Sequence, residues 1–353
     1  MQHHTSPSES PLAYCHDAVQ DVSRTFALTI DALAPPLADQ VCVGYLLCRI
    51  PDTVEDATHI PPRAQQTLLQ TYRESLDPAS PTSVEAFTRR ATQWIPAQPT
   101  SDWELVENTP TVVAAFEQFS QRTQEAMRSP ICEMTTGMLR FVDRYTNEPG
   151  IRIQTPIELR SYCHYVAGTV GELITNLLAK QPLTPARETV LRTNAEHFGR
   201  LLQLVNIAKD VRDDYVTENN VYVPREWLAA EEVPHNHVID PDYRSGAVSA
   251  LSRILDQAQQ HLDPAQTYIE KMPLADGNTV VAWAVPYLLA VGTLRELRAN
   301  PAAAFSEEEV KVSREEVQTI MNTVYATDRQ CLTLLREKIA DSPLDAVPQN
   351  LPP

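Results

Sequence analysis

The sequence predicts an all-α fold in a single domain, and three observations carry that reading. Glycine is scarce, at 9 of 353 residues, so few positions demand unusual backbone freedom. The long runs are built from Ala, Leu, Glu, Arg and Gln, all strong helix formers. Strand-like alternation of β-branched residues is rare. Hydrophobic residues make up 43% of the chain, enough for a sizeable core. No composition break marks a second domain.

The elements follow in order. Residues 1–11 are rich in Pro and Ser and read as a loose tail. Apolar periodicity then predicts helices near 12–34, 36–57, 62–76, 83–94, 110–127, 129–145, 156–179 and 186–215. Connections such as "LDPASPTS", "IPAQPTSDW" and "KQPLTPARE" carry the Pro and polar residues that stop helices. Segment 216–245 mixes polar and aromatic residues and reads as an irregular flap. Helices resume near 246–270, 277–299 and 313–339, before a Pro-rich tail at 342–353. These boundaries give one all-α domain over 12–341. The longest apolar run, Val280 to Leu294, falls short of the ~18 residues of a spanning helix. It also contains Pro286, so it reads as a kinked, buried helix of a soluble protein.

The net charge is -17, with 46 acidic residues against 29 basic ones. Such a surface repels nucleic-acid phosphates and anionic lipid headgroups. Only Lys180, Lys209, Lys271, Lys311 and Lys338 are lysines; arginine supplies the other basic residues. Excess acid with little lysine predicts adaptation to high salt, where mobile cations screen self-repulsion. The six cysteines (15, 42, 48, 132, 163, 331) show no CxxC spacing and sit in apolar helical runs. They read as small buried hydrophobes in a reducing compartment. The N-terminus lacks the basic and apolar pattern of a signal peptide.

Chemistry concentrates in two acidic clusters. In "CRIPDTVEDA", Asp52, Glu55 and Asp56 share one helical turn. Arg49 and Tyr45 fall on the same stripe. In "LLQLVNIAKDVRDDYV", Asp210, Asp213 and Asp214 repeat the spacing, flanked by Lys209 and Arg212, with Gln203 and Asn206 upstream on the same side. Acids on a helix usually solvate a surface. Here each cluster follows an apolar run that must be buried, so its members repel one another and lose hydration. Hard cations remove that penalty, and Mg²⁺ typically bridges carboxylates to phosphates. Two such clusters facing each other would hold a diphosphate at the mouth of an apolar cavity. Pro51 cannot donate to the carbonyl of Leu47, which predicts a kink or a fresh helical start between Arg49 and Asp52.

These blocks resemble the squalene/phytoene synthase family, its squalene synthase branch most of all. The likeness is carried in order by "VSRTFALTIDAL", "GYLLCRIPDTVEDA", "ICEMTTGMLRFVD", "YCHYVAGTVGELI" and "LLQLVNIAKDVRDDYV", with "VYVPREWL" following and a weaker match in "EEVKVSREEV". The resemblance implies an isoprenoid-synthase fold around a central cavity. It implies Mg²⁺-dependent head-to-head condensation of two farnesyl diphosphates, then reduction by NADPH. Phytoene or dehydrosqualene synthase, which need no reductant, and a catalytically silent protein of the same fold are the alternatives. It assigns Asp52, Glu55, Asp56, Asp210, Asp213 and Asp214 to the metal. Ser23, Arg24, Phe26, Tyr45, Arg49, Gln203, Asn206 and Lys209 become substrate contacts. Tyr165 becomes the acid/base and cation neighbour, a role that suits an aromatic face. The implied setting is cytoplasmic, with peripheral membrane contact where the product partitions.

Three positions differ from the family pattern: Pro51, Lys209 in place of Arg, and Asn220 in place of Arg before the aromatic–Pro segment. No GxGxxG is present, so a nicotinamide would bind in the cavity, with Asn206, Lys311 and Arg314 as candidate contacts. His16-Asp17 and "PHNHVID" mimic hydrolase and nuclease motifs but lack partners, and read as solvated positions.

Overall fold

The computed structural model describes residues 10–181, 183–273, 279–307, 310–326 and 331–344. Its helices are α1 (Pro11–Val22), α2 (Arg24–Asp31), α3 (Leu37–Glu55), α4 (Pro62–Ser75), α5 (Val84–Ala91), α6 (Ser101–Glu107), α7 (Thr109–Glu117) and α8 (Gln121–Arg144). They continue as α9 (Pro156–Cys163), α10 (Thr169–Leu178), α11 (Pro185–Lys209), α12 (Val211–Asp213), α13 (Arg225–Ala230), α14 (Arg244–Lys271), α15 (Thr279–Ala299), α16 (Arg314–Ala326) and α17 (Leu332–Asp341). Among the described residues there is no strand, only an isolated parallel bridge between Arg152 and Val221. The all-α reading holds.

Local chemistry explains where helices start and where they break. The helix expected over 12–34 divides at Ser23, whose extended backbone (φ -159) ends α1. Its hydroxyl then caps α2 by accepting from the Phe26 N–H at 3.3 Å. Helix α6 opens inside the "IPAQPTSDW" connection and buries Trp103, Leu105 and Val106.

Four prolines lie inside helices among the described residues, and at Pro51 and Pro130 a neighbour takes the bond that the proline removes. Helix α3 runs through Pro51, so of the two expected outcomes the fresh start does not occur. The orphaned Leu47 carbonyl accepts instead from the buried Tyr72 phenol at 2.5 Å. In α8, Pro130 strips the Ala126 carbonyl, and Asn176 Nδ2 on α10 donates to it at 3.1 Å. The two helices expected near 110–127 and 129–145 accordingly break elsewhere, between Glu117 and Gln121.

Helices α11 and α14 pack along their length, and α3 is wrapped by α1, α2, α4, α6, α7, α8 and α10. The segment from Ala167 to Gly171 and helix α11 approach closely at two glycines. A Cβ on Gly199 would lie 2.2 Å from the Ala167 carbonyl oxygen, and one on Gly171 2.3 Å from that of Ala195. Among the described residues α15 alone is long and apolar enough to cross a membrane by length and composition. It is packed against α2, α11, α14, α16 and α17. No disulfide joins the six cysteines.

Most of the expected tails, residues 1–9 and 345–353, lie outside the described residues. Leu344 is buried, and its N–H donates to Glu316 Oε1 at 3.0 Å. Segment 216–245 is an ordered strap rather than an irregular flap. Val221 exchanges backbone hydrogen bonds with Ile151 (2.8 Å) and Ile153 (3.1 Å). Arg152 reaches Asn219 Oδ1 (2.6 Å) and Asn236 Oδ1 (3.0 Å).

Candidate active site: two acidic rows across an apolar cavity

A cavity of about 410 Å³ lies between α3 and α11. Asp52 and Asp56 project from one wall, and Asp210, Asp214 and Glu218 from the other. Arg49 and Lys209 are the cations that line it. Phe26, Cys48, Met134, Val166, Val170 and Ile207 form its apolar walls.

The first row comes straight off α3. Arg49 donates through Nη1 to Asp52 Oδ2 (2.5 Å) and through Nε to Asp102 Oδ1 on α6 (2.8 Å). Burial works against the Arg49 charge, but Asp52 and Asp102 outweigh it and hold the guanidinium firmly protonated. Burial also raises the Asp52 and Asp56 carboxyls; Asp52 and Glu218 raise Asp56 further.

The second row comes off a helix that breaks. Asp210 caps α11 with φ -101 and ψ 14. After α12 the chain makes a π-helical turn over Asp214–Glu218 and ends on Asn219 in the left-handed region. The wider turn swings Glu218 into the cavity. Asn220 then fixes it: Nδ2 donates to Glu218 Oε2 (2.9 Å) and to the Tyr222 phenol (3.0 Å), while Oδ1 accepts from the Ile151 N–H (2.7 Å). This is what asparagine does at a position where the family pattern has arginine. Burial, then Glu218 and Asp210, push Asp214 up to about 8, with Lys209 opposing.

The metal residues expected from the sequence therefore divide. Asp52, Asp56, Asp210 and Asp214 meet across the cavity. Asp213 is exposed and does not line it. Glu55 turns the other way, into the protein. It is 7% exposed, and neither carboxylate oxygen has a hydrogen-bond partner of ordinary geometry. Glu218 joins the set unannounced. Its signal is the continued four-residue step from Asp210 through Asp214, which an irregular reading of the segment from 216 obscures.

Tyr45, Tyr162 and Tyr222 line the cavity, and Tyr165 does not. Tyr162 is buried, stacks on Tyr222 with centroids 4.8 Å apart, and shares a hydrogen bond with its phenol (3.0 Å). Tyr165 sits over Gly137, where a Cβ would meet its Cγ at 2.1 Å, and is hydrogen-bonded by Arg140. A π-helical turn over His164–Gly168 separates α9 from α10.

Other expected contacts are placed as follows. Phe26 and Tyr45 line the cavity and stack on each other at 4.2 Å. Ser23 does not line it; its hydroxyl caps α2 and lies beside the Tyr45 phenol. The Arg24 side chain lies outside the described residues. Gln203, Asn206 and Lys209 line the α11 wall, with Lys209 bonded to Asp210. Lys311 and Arg314 are exposed and line no part of the cavity.

The donor set suits magnesium. Five carboxylates face two cations across the cavity, leaving excess negative charge. Glu55 adds buried oxygens that the Tyr162 phenol alone approaches. Among the described residues no three His, Cys, Asp or Glu groups converge on one point. Such an open arrangement fits an ion that keeps its waters and takes one or two carboxylates plus phosphate oxygens.

The squalene/phytoene synthase family model matches residues 19–316. The chain belongs to that family, a family of prenyltransferase-type enzymes of isoprenoid biosynthesis. It is 28% identical over 299 residues to presqualene diphosphate synthase of Botryococcus braunii, covering 84% of this chain and 68% of that protein. It is 27% identical over 336 residues to squalene synthase LSS of the same organism, covering 94% and 67%. A solved ligand complex of the protein designated TcSQS superposes with a TM-score of 0.78 at 27% identity, over 93% of this chain and 90% of that one. The chain spans about two thirds of the length of these curated relatives.

Proposed function

We propose that the protein condenses two farnesyl diphosphates head to head through presqualene diphosphate, and yields squalene when NADPH is supplied. One observation carries the reading: two carboxylate rows face each other across a cavity whose remaining walls are largely apolar. Diphosphate heads belong at the rows and prenyl tails against the apolar walls.

Asp52 and Asp56 on one side, and Asp210, Asp214 and Glu218 on the other, would hold magnesium. When bound, magnesium supplies the Lewis-acid pull on the departing diphosphate. Arg49 is set by Asp102 at the edge of this site, and Lys209 faces it from α11; both meet phosphate charge as the C–O bond breaks. The allylic cation left behind is stabilised by aromatic faces, and the stacked Tyr162–Tyr222 pair provides them at the cavity wall. Phe26, Val166, Val170 and Ile207 exclude the water that would quench it. The second prenyl chain's double bond then attacks, leaving a tertiary cation; loss of a proton from the carbon that bore the first diphosphate, taken up by that departed diphosphate, closes the cyclopropane and keeps the second diphosphate in place.

The candidate NADPH contacts do not form a common site. Asn206 lines the cavity, while Lys311 and Arg314 do not. Squalene as the end product rests on the family resemblance.

The test is product analysis with labelled farnesyl diphosphate and Mg²⁺, with and without NADPH. Presqualene diphosphate without reductant and squalene with it are expected. Dehydrosqualene regardless of NADPH, or a preference for geranylgeranyl diphosphate, would move the protein to the reductant-free branch. No turnover of either substrate would make it a silent member of the fold.

A further inference from the structure

Behind the apolar wall of the cavity lies a histidine whose neighbours fix its charge. His164 opens the π-helical turn His164–Gly168 between α9 and α10. Its Nδ1 donates to Glu196 Oε1 on α11 at 2.7 Å, and its Nε2 to Glu133 Oε1 on α8 at 3.2 Å. A neutral imidazole carries a single N–H and would turn its bare nitrogen on a carboxylate, so the two contacts together select the imidazolium. None of these three residues lines the cavity, yet each is joined to its wall. Val166 lies in the same turn as His164, Met134 follows Glu133, and Gln203 and Asn206 lie further along α11 from Glu196.

The other groups at this junction leave the positive charge in place. Glu172 on α10 adds a third carboxylate, Arg200 on α11 pairs with Glu196, and Arg140 on α8 is taken by the Tyr165 phenol. Arg160, one turn earlier on α9, is exposed, and the Tyr165 ring meets the imidazole at its edge with centroids 5.2 Å apart. Burial works against the His164 charge, but the bonds to Glu133 and Glu196 outweigh it and raise the group above its usual value of 6.5. The stem of Glu196 rests on the turn itself, since a Cβ on Gly168 would lie 2.9 Å from Glu196 Cγ. One proton thus lets a single ring link two helices to the turn. Without it, one of the two carboxylates faces a lone pair and that link is lost.

We propose that protonated His164 is a positioning residue: it clamps the π turn to α8 and α11, and so keeps the cavity wall closed to water while the prenyl cation exists. The consequence for products rests on the condensation chemistry proposed above. When the imidazolium gives up its proton, water reaches the allylic cation. Its oxygen forms the new C–O bond, its spare proton passes to the departed diphosphate, and a prenyl alcohol leaves in place of the condensation product. Because the folded value lies above the unfolded one, the clamp is whole below about pH 6.5 and is lost as pH rises through the higher folded value.

The test weighs prenyl alcohols against condensation products made from labelled farnesyl diphosphate and Mg²⁺, between about pH 6 and 9. The parent's alcohol fraction should rise with pH by about threefold or more, as water exclusion fails. His164→Gln, which keeps a polar side chain but no charge, should show the high fraction at every pH. Glu133→Gln should keep the rise and move its midpoint to lower pH, a shift that a merely structural role would not produce. If His164→Gln does not fold, the Glu133→Gln midpoint decides, and an unmoved midpoint overturns the clamp. Parent-like alcohol fractions in His164→Gln at every pH overturn it as well. Backbone hydrogen exchange over 164–168 in the substrate-free protein gives a reading that needs no turnover. At about pH 6, His164→Gln should lose protection there by about tenfold, as expected for a lost charge-assisted hydrogen bond. In a protein that turns over no prenyl diphosphate the proposed function falls and exchange alone judges the clamp: faster exchange in the variant upholds it, and parent-like exchange overturns it.

Discussion

The two acidic rows share one spacing and are built differently. Asp52, Glu55 and Asp56 ride a continuous helix sunk in the core, tied by Arg49 to Asp102 and backed by Gln65 and Tyr72. Asp210, Asp213 and Asp214 straddle a helix break and lean on a strap held by Asn220 and Arg152. Yet the first and last acids of each set face the cavity, and the middle one leaves it. Helical geometry explains this: a four-residue step turns a side chain by about +40° and a three-residue step by about -60°. The two middle acids meet opposite fates. Glu55 falls into protein and Asp213 into solvent. Spacing selects the pair that works together; what stands behind the helix decides what the third acid becomes.

The largest effects should separate pair members from middle ones. Asp52→Asn or Asp210→Asn should each cut turnover by roughly 10²-fold or more with the fold intact, as expected for lost electrostatic stabilisation of a leaving group. Asp213→Asn should stay within about threefold of the parent, given the small effects usual for exposed sites. Steady-state kinetics on purified variants checks both. Equal losses at Asp213 and Asp214 would erase the distinction between pair members and middle acids.

A second break in the comparison lies under Pro51. Tyr72→Phe leaves the buried Leu47 carbonyl without a donor and should cost about 1–3 kcal/mol in denaturant unfolding. In a Pro51→Ala background the helix supplies its own N–H, so the same change should cost markedly less. Additive losses would mean that the phenol is not what makes the proline tolerable.

The second row predicts a pH dependence in the metal-free protein. Asp214 is held near 8 against an unfolded value near 3.9. Below about pH 4 both states are protonated and the group contributes nothing to the balance. As pH rises toward 8 the unfolded chain releases a proton that the folded one keeps, so stability falls and the loss is complete above that value. Melting temperature should therefore drop between pH 5 and 8, less so in Asp214→Asn, and Mg²⁺ should restore more at pH 8 than at pH 6. A profile that Asp214→Asn leaves unaltered would remove this group from the account.

The smallest effect concerns the whole surface. With 46 acidic against 29 basic residues, melting temperature should climb as KCl rises from low salt, because screening weakens net repulsion. Full stability in salt-free buffer would speak against adaptation to high salt.

Most of the fold is legible because helix formers, apolar runs and Pro/Ser connections are local signals. Expectation and structure part where a distant residue overrides a local rule. Pro130 looks like a boundary until Asn176 takes up the Ala126 carbonyl. Ser23 ends a helix that its neighbours would continue, because its own hydroxyl caps the next one. Tyr165 is expected from the resemblance alone, and the cavity is lined instead by Tyr162, Val166 and Val170, within the π turn at His164–Gly168 and on either side of it. Glu218 is hidden by a segment whose polar composition masks its anchoring to 151–154.

By itself the sequence determined an all-helical chain and two pairs of acids at one-turn spacing after apolar runs, since both follow from residue type and the helical repeat. Only the tertiary structure decided that the pairs face each other, that Glu55 turns inward, and which tyrosines line the cavity. Those depend on donors and close contacts supplied by residues far along the chain, and no local pattern encodes where such partners come to rest.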